Sequence, residues 1–204
     1  MKNKKVKVIG AGLAGCEAAF YLARRGVEVE LYDIKPKKLT PAHVSENFAE
    51  LVCSNSLKSN DVYGNAAGLL KEEMRILGSL VIEAADKTKV PAGGALAVDR
   101  DKFSAYITDK IKAEKNVTFI SEEIEEISIG GYTVVATGPL TQGKLCDTLT
   151  DIAGGLHFYD ASAPIVSAES IDKEYSFIGD RYDRGSGDHI NCPMNESQYK
   201  EFVK

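Results

Sequence analysis

Three glycines, Gly10, Gly12 and Gly15, restrict the fold of this chain more than any other feature of its sequence. They follow a short apolar segment typical of a β-strand and begin a stretch whose apolar residues recur at helical spacing, before a second strand-like segment. The first glycine allows a sharp turn, the second lets the backbone approach a pyrophosphate, and the third lets the helix pack on the strand. The pattern therefore predicts a right-handed βαβ unit in a Rossmann-like α/β fold.

An acidic residue at the end of the second strand supports a dinucleotide ligand. Asp33 lies eighteen residues after Gly15, where a carboxylate accepts hydrogen bonds from the adenosine ribose. This favours FAD or NAD over NADP, with Lys35 in the loop beside the adenosine. The residues expected around the pyrophosphate are Gly10, Ala11, Gly12, Leu13, Ala14 and Gly15. The alternative is an incidental glycine turn that binds no ligand.

The rest of the chain continues the α/β pattern after a long polar loop at 34–63. The remaining predicted elements are helices at 65–77, 79–86, 101–114 and 196–203, and strands at 117–120, in the stretch up to 129, and at 132–137. Asp99 is expected to cap the third of these helices. We expect a FAD-binding domain at 1–156 and, at 157–204, an extended segment that leads into a second domain.

Composition excludes several classes of protein. No run of about eighteen apolar residues is present, so no membrane-spanning helix is expected. The start has no secretory signal pattern, which predicts a cytoplasmic protein. The net charge of −5 is not that of a dedicated nucleic-acid binder. The four cysteines are widely spaced and the three histidines are scattered, so neither a disulfide framework nor a metal site is expected.

Two further segments contain candidate site residues. Cys53 lies among small polar residues and a lysine, so it is either a partly exposed, reactive thiol or a buried structural one, and local features favour the buried thiol. Gly94, Ala95 and Arg100 belong to a glycine-containing segment that either lies flat against a cofactor ring or is simply a turn. Two other cysteines are expected in the core, Cys16 and Cys146.

Several blocks of the sequence, taken together, resemble one family. They are VIGAGLAGCEAA (8–19), LVCSNSLKS (51–59), GGALAVDR (93–100), ATGPL (136–140), FYDASAPIV (158–166) and NCPM (191–194). They occur, in this order, in the folate- and FAD-dependent tRNA (uracil-5-)-methyltransferases, which are related to larger flavoproteins that carboxymethylaminomethylate tRNA uridines. The resemblance implies a three-layer FAD/NAD(P)-binding domain of the glutathione-reductase type.

The resemblance also implies a reaction. A methylene group from methylenetetrahydrofolate would pass through reduced FAD to C5 of a T-loop uridine in tRNA, with NADH or NADPH as reductant. The block matching Cys53 contains a cysteine that acts near the flavin, which makes Cys53 the first catalytic candidate. The alternatives are a generic FAD-dependent reductase or oxidoreductase, a non-catalytic fragment, the sister carboxymethylaminomethyl-modifying family, and a ribosomal RNA uridine as substrate.

The chain departs from the family in two respects. It resembles only the N-terminal part, so the fold and the flavin site are expected to be incomplete relative to the family. In addition, Asp33 stands where relatives usually have Glu, and Lys35 stands where they usually have Arg. Both differences preserve charge, but the aspartate is one methylene shorter, which predicts weaker or water-mediated ribose contacts.

Overall fold

The computed structural model describes residues 5–127, 130–139, 141–153, 166–180, 187 and 189–203. In chain order its elements are β1 (Val6–Ile9), α1 (Leu13–Ala23), β2 (Val29–Asp33), β3 (Ser56–Ser59), α2 (Ala66–Ile76), α3 (Leu80–Thr88), β4 (Lys89–Val90), β5 (Ala95–Val98), α4 (Arg100–Ala113), β6 (Val117–Ser121), β7 (Tyr132–Val135), α5 (Gly143–Ala153), a 3₁₀ turn (Ala168–Ser170), β8 (Phe177–Ile178), β9 (Ile190–Asn191) and α6 (Glu196–Phe202). The predicted α/β class is confirmed.

A parallel sheet of four strands, in the order β6-β2-β1-β7, contains the predicted βαβ unit. Val6 of β1 pairs with Val29 on one side and Tyr132 on the other, and Val29 also pairs with Val117. Because all four strands run in the same direction, their carboxyl ends meet at one edge of the sheet. Open α/β sheets bind ligands at this edge.

Helix α1 connects β1 to β2 and is built from small residues. Its buried positions, Gly15, Cys16, Ala19, Phe20 and Ala23, recur at intervals of three or four residues and form one face. The sequence pattern predicts this helix over 13–25, but it ends at Ala23, and Gly26 follows with a φ of +78°. A glycine adopts that left-handed conformation without steric cost, which explains where the chain turns towards β2.

Helices α3 and α4 complete the core, and polar side chains fix where they begin. The spacing of Phe103, Tyr106, Ile107 and Ile111 predicts the inner face of α4. Tyr106 is half-buried and packs against the core, and the other three are fully buried. Asp99 caps α4 as predicted, since its side chain accepts a hydrogen bond from the N–H of Lys102 at 3.1 Å. Ser79 caps α3 in the same way. Among the described residues, no helix is long and apolar enough to cross a membrane.

A small antiparallel sheet, in the order β3-β5-β4, contains the main differences from the predicted elements. The segment 34–63 was predicted to be a loop, but Ser56–Ser59 forms β3 by pairing with β5 around an irregularity in register. This short polar strand has no hydrophobic periodicity, so only its pairing defines it. The strand expected between 121 and 129 is wrong for 122–127, which contain none, and residues 128 and 129 lie outside the described part.

Near the end of the chain the structure contains the β8–β9 hairpin and α6, which begins with a reciprocal cap between Asn195 and Gln198. The hairpin region lies beside the turn between β4 and β5. A Cβ built on Gly93 would lie 3.1 Å from a carboxylate oxygen of Asp180. The predicted domain boundary at 156 falls outside the described residues and stays a prediction.

Candidate functional site

The glycine loop lies at the carboxyl end of β1, and its shape depends on missing side chains at two positions. Gly10 has a φ of +100°, and a Cβ built there would lie 2.6 Å from the carbonyl oxygen of Ala136. A Cβ on Gly15 would lie 1.8 Å from the carbonyl oxygen of Gly10. Gly12 has a φ of −74°, and the nearest atom to a built Cβ is 4.0 Å away. The fold therefore requires Gly10 and Gly15, whereas Gly12 leaves open space at the start of α1.

Hydrogen bonds fix both the N–H and the carbonyl group of Ala11. Its N–H donates to Oδ2 of Asp33 at 2.6 Å. Its carbonyl accepts a hydrogen bond from the N–H of Ala49 at 2.8 Å and another from the thiol of Cys16 at 3.2 Å. The loop is thus tied to the end of β2 and to the long polar loop that follows it.

Asp33 has a structural role that was not predicted from the sequence. Besides Ala11, its carboxylate accepts a hydrogen bond from the N–H of Lys35, through Oδ1 at 2.9 Å. A carboxylate offers about four acceptor positions, so Asp33 retains capacity for ribose hydroxyls after both bonds are made. The ribose contact itself stays a prediction. The bond to Ala11 was missed because it joins positions far apart in the sequence.

A cleft of about 490 Å³ opens in front of the glycine loop. This volume is within the usual range for small-molecule sites, about 300–1,000 Å³. Of the predicted cofactor residues, the cleft is lined by Gly10, Ala11, Gly12, Leu13, Ala14, Asp33 and Lys35. Its other walls include residues 38–41, 43, 49, 50, 52, 122–124 and 136–139. Gly15 supports the loop from within the core.

Lys35 is buried in the wall of the cleft, and a carboxylate neutralises its charge. Its Nζ lies 2.7 Å from Oε2 of Glu50 and 3.0 Å from the carbonyl oxygen of Asn47. Burial alone would raise the pKa of Glu50, but hydrogen bonds from Lys35 and from the N–H groups of Val44 and Ser45 outweigh it and lower the pKa. The pair fixes the conformation of the long polar loop, and a direct contact of Lys35 with adenosine stays a prediction.

Thr40 and His43 also line the cleft, and neither was predicted as a site residue. Nδ1 of His43 lies 2.6 Å from Oγ1 of Thr40. Burial lowers the pKa of His43, and the charge of Lys35 lowers it further, so the neutral imidazole is favoured. Their position in a long irregular loop was the only sequence signal that could have found them.

Cys53 is exposed, so the buried structural thiol that its local sequence favoured is wrong. It follows Val52, which lines the cleft. Nη2 of Arg100 donates to the carbonyl oxygen of Cys53 at 3.2 Å. Asn55 holds the same loop on β5, since its side chain donates to the carbonyl oxygen of Val98 at 3.0 Å and its own carbonyl accepts the N–H of Val98 at 3.0 Å. These contacts fix the loop while the thiol remains accessible.

Gly94, Ala95 and Arg100 lie outside the walls of the cleft. A Cβ built on Gly94 meets no atom within 4 Å, so the backbone there is open to a flat ligand. Arg100 contacts the Cys53 loop and thereby joins two of the predicted site segments. A cofactor contact at these three residues stays a prediction. Leu140 and residues 158–165 of the resembling blocks lie outside the described residues.

The other cysteines differ in exposure. Cys16 is buried as predicted, and burial, together with the charges of Asp33 and Glu17, raises the pKa of its thiol. Cys146 was expected in the core, but it is only half-buried, because it lies on the less covered helix α5. Cys192 is exposed. In the described part of the chain, no group of three or more His, Cys, Asp or Glu side chains could hold a metal ion.

Comparison with known proteins places this geometry in a family. Residues 5–204 match the family described as glucose inhibited division protein A. The chain belongs to the GidA family. A solved GidA from Aquifex aeolicus superposes with a TM-score of 0.50 at 21% identity, over 63% of this chain and 21% of that one. At that identity the match shows the shared fold alone.

Much closer relatives are named methylenetetrahydrofolate–tRNA-(uracil-5-)-methyltransferase TrmFO. This member of the GidA family is 57% identical over 199 residues to the protein from Acetivibrio thermocellus, which covers 97% of this chain and 45% of the relative. It is 56% identical over 203 residues to that of Lactobacillus helveticus, covering 98% of this chain and 50% of the relative. It is 55% identical over 202 residues to that of Staphylococcus aureus strain Newman, covering 98% and 46%. The chain therefore spans about half the length of the curated relatives it matches.

Proposed function

We propose that this chain forms the FAD-binding part of a tRNA (uracil-5-)-methyltransferase that takes its one-carbon unit from methylenetetrahydrofolate. One observation carries the proposal. A glycine loop and Asp33 meet at a cleft on the carboxyl edge of a parallel sheet, in a chain 57% identical over 97% of its length to a relative with that name. The relative's substrate and donor are assigned to this chain on that basis.

The cleft suits the adenosine and pyrophosphate groups of FAD. Open space at Gly12 leaves room for a pyrophosphate beside the start of α1, where free N–H groups and the helix dipole favour negative charge. At the ribose end, the lining lysines Lys35 and Lys38 are both paired with carboxylates, Glu50 and Glu123. Lys35 is buried in its pair and is not free for a ribose 2′-phosphate, whereas the Lys38 pair is exposed to solvent. The buried pair and the carboxylate of Asp33 favour FAD or NAD over NADP at this site.

Cys53 is the residue we propose for catalysis. Its thiol is exposed next to the cleft, on a loop that Arg100 and Asn55 fix to the body of the protein, so it can act as a nucleophile or as an acid–base group. Bound flavin, reduced by NADH or NADPH, supplies the reducing equivalents that convert a transferred methylene into a methyl group. The tRNA is expected to bind through the full-length protein.

The proposal is tested first by flavin binding. Fluorescence titration of the purified chain with FAD is expected to show saturable, weak binding, which Gly12→Val abolishes because its side chain would occupy the pyrophosphate space. Thermal unfolding of the variant provides the folding control. Equal FAD affinity in the folded variant and the parent would contradict the assignment of the glycine loop.

The reaction is tested in a full-length chimera, in which these 204 residues replace the aligned part of the Acetivibrio thermocellus relative. The chimera is expected to convert uridine to 5-methyluridine in a tRNA transcript, given methylenetetrahydrofolate and NADH. Cys53→Ala is expected to abolish conversion, whereas Cys192→Ala, which removes the other exposed thiol, retains it. NADH oxidation without RNA methylation would indicate a plain flavin reductase, and methylation only of a ribosomal RNA transcript would change the substrate.

A further inference from the structure

Helix α2 is oriented so that its apolar side faces solvent. The side chains of Leu69, Leu70, Ile76 and Leu77 are between 50% and 79% exposed. They lie at positions i, i+1, i+7 and i+8, so they form one stripe along the helix. We call these four residues the α2 stripe. A helix in a folded protein normally turns such a stripe towards a core.

Contacts on the opposite side of α2 prevent the helix from rotating to bury the stripe. Lys71 is only 6% exposed, and its Nζ donates to the carbonyl oxygens of Ser59 at 2.8 Å and Ala67 at 2.9 Å. Gly68 packs so closely that a Cβ there would lie 1.9 Å from the carbonyl oxygen of Asp61.

Arg75 adds a paired contact to α3. Its Nε and Nη2 donate to the two carboxylate oxygens of Asp86 at 2.7 and 2.9 Å. A bidentate pair of this kind fixes orientation as well as distance. The exposure of the α2 stripe is therefore a fixed property of the described fold.

The chemistry of the stripe indicates the kind of partner. A continuous exposed apolar surface is typical of a site of contact with a protein, a membrane or an apolar ligand. The charged residue that shares this side of the helix is the acidic Glu73. Nucleic acids are bound largely through their phosphates, whose charge is neutralised by lysine and arginine. The cations of α2, Lys71 and Arg75, are instead engaged on its other side. The stripe thus suits apolar polypeptide.

We propose that the α2 stripe is the docking surface for the polypeptide that forms the remaining half of the relatives. These relatives match nearly all of this chain with only 45–50% of their own length. The opposite side of α2 packs on the strand that follows the Cys53 loop, because Lys71 binds the carbonyl oxygen of Ser59 at the end of β3. The proposal does not depend on the reaction proposed above.

The test measures accessibility in the chain alone and in the full-length chimera. Both carry Cys53→Ser, Cys146→Ser and Cys192→Ser, which removes the exposed and half-buried thiols of this chain. Leu70→Cys places one reporter in the stripe, and its labelling is measured on the peptide that contains it by mass spectrometry. The matched control is Lys115→Cys, an exposed residue in the turn after α4. Maleimide labelling of Leu70→Cys is expected to be at least about tenfold slower in the chimera, because reaction then requires local opening. The control is expected to react equally fast in both.

Two results would overturn the proposal. Equal labelling of Leu70→Cys in both proteins would show that the second half does not cover the stripe. Protection that is already present in the chain alone and is lost on dilution would assign the stripe to a second copy of this chain. If the chimera does not fold, hydroxyl-radical footprinting of the intact Acetivibrio thermocellus relative measures the exposure of the residues aligned with the stripe. No readout involves FAD, folate or RNA, so the result is independent of the proposed reaction.

Discussion

Alanine substitutions at Gly12 and Gly15 are expected to separate the glycine needed for folding from the glycine that leaves room for a ligand. At Gly15, the new methyl group would lie 1.8 Å from the carbonyl oxygen of Gly10, which is backbone and cannot rotate away. Overpacking typically costs about 1–3 kcal/mol and a backbone clash is at the upper end, so we expect a loss of about 3 kcal/mol. For a chain of this size that corresponds to a fall in Tm of about 6–12 °C.

At Gly12, two small effects oppose each other. Replacing glycine at a helix N-cap with alanine costs up to about 1 kcal/mol. The lower entropy of the unfolded chain returns about 0.4–1 kcal/mol, because the backbone conformation at Gly12 suits alanine. The net change is expected to be within about 1 kcal/mol, or less than about 4 °C in Tm.

Thermal unfolding of the cofactor-free proteins, followed by circular dichroism, measures this difference, and FAD titration of the same samples measures the ligand effect. Gly12→Ala is expected to unfold near the parent Tm but to bind FAD more weakly. Gly15→Ala is expected to unfold at a clearly lower temperature than the parent, even without FAD. The reasoning would be refuted by Gly12→Ala falling as far in Tm as Gly15→Ala, or by Gly15→Ala unfolding at the parent temperature.

Three other side chains give predictions that can be measured without a ligand. Asp33→Ala is expected to lower the unfolding free energy of the cofactor-free protein by about 1–3 kcal/mol, because the N–H groups of Ala11 and Lys35 lose their acceptor. An unchanged Tm would show that Asp33 does not stabilise the fold. Glu50→Gln leaves the buried Lys35 charge unpaired, so urea unfolding at pH 7 should show a loss of about 3–5 kcal/mol. Because the pKa of Glu50 is lowered by folding, its contribution is present at neutral pH and is lost as the pH falls below about 4.5, so the difference from the parent should shrink there; a pH-independent difference would contradict this. Glu17→Ala removes the carboxylate that accepts three hydrogen bonds at the start of α3. Urea unfolding is expected to show an unfolding free energy lower by about 2 kcal/mol. An unchanged unfolding free energy would show that these hydrogen bonds do not stabilise the fold.

Local features were predicted well where short-range physics determines them. The spacing of Gly10, Gly12 and Gly15 was sufficient to predict the βαβ unit, because the strand, the glycine turn and the helix follow one another directly in the sequence. The cap at Asp99 and the buried face of α4 were predicted for the same reason. Two contacts were missed, the hydrogen bond from Ala11 to Asp33 and the ion pair between Lys35 and Glu50. Each joins residues at least fifteen positions apart in the sequence, and the ion pair also depends on how the long polar loop folds.

Helix α2 shows why periodicity alone does not predict burial. The pattern predicted a helix at 65–77 with Leu69, Leu70, Met74 and Leu77 on one side, and of these the three leucines are exposed whereas Met74 is half-buried. It could not show which side faces the protein, because that depends on Gly68 against Asp61 and on the hydrogen bonds of Lys71. The exposure of Cys53 was missed in the same way, since the contacts that hold its loop come from Arg100 and Val98.

The hydrogen bonds around Ala11 affect how tightly the glycine loop can hold a ligand. Its N–H is held by Asp33, and its carbonyl by Ala49 and Cys16, before any ligand arrives. Ordering one backbone residue costs about 1–2 kcal/mol of conformational entropy, and here that loss occurs during folding. The cradle is therefore preorganised, so a ligand does not have to immobilise this turn, and more of its contact energy appears as affinity.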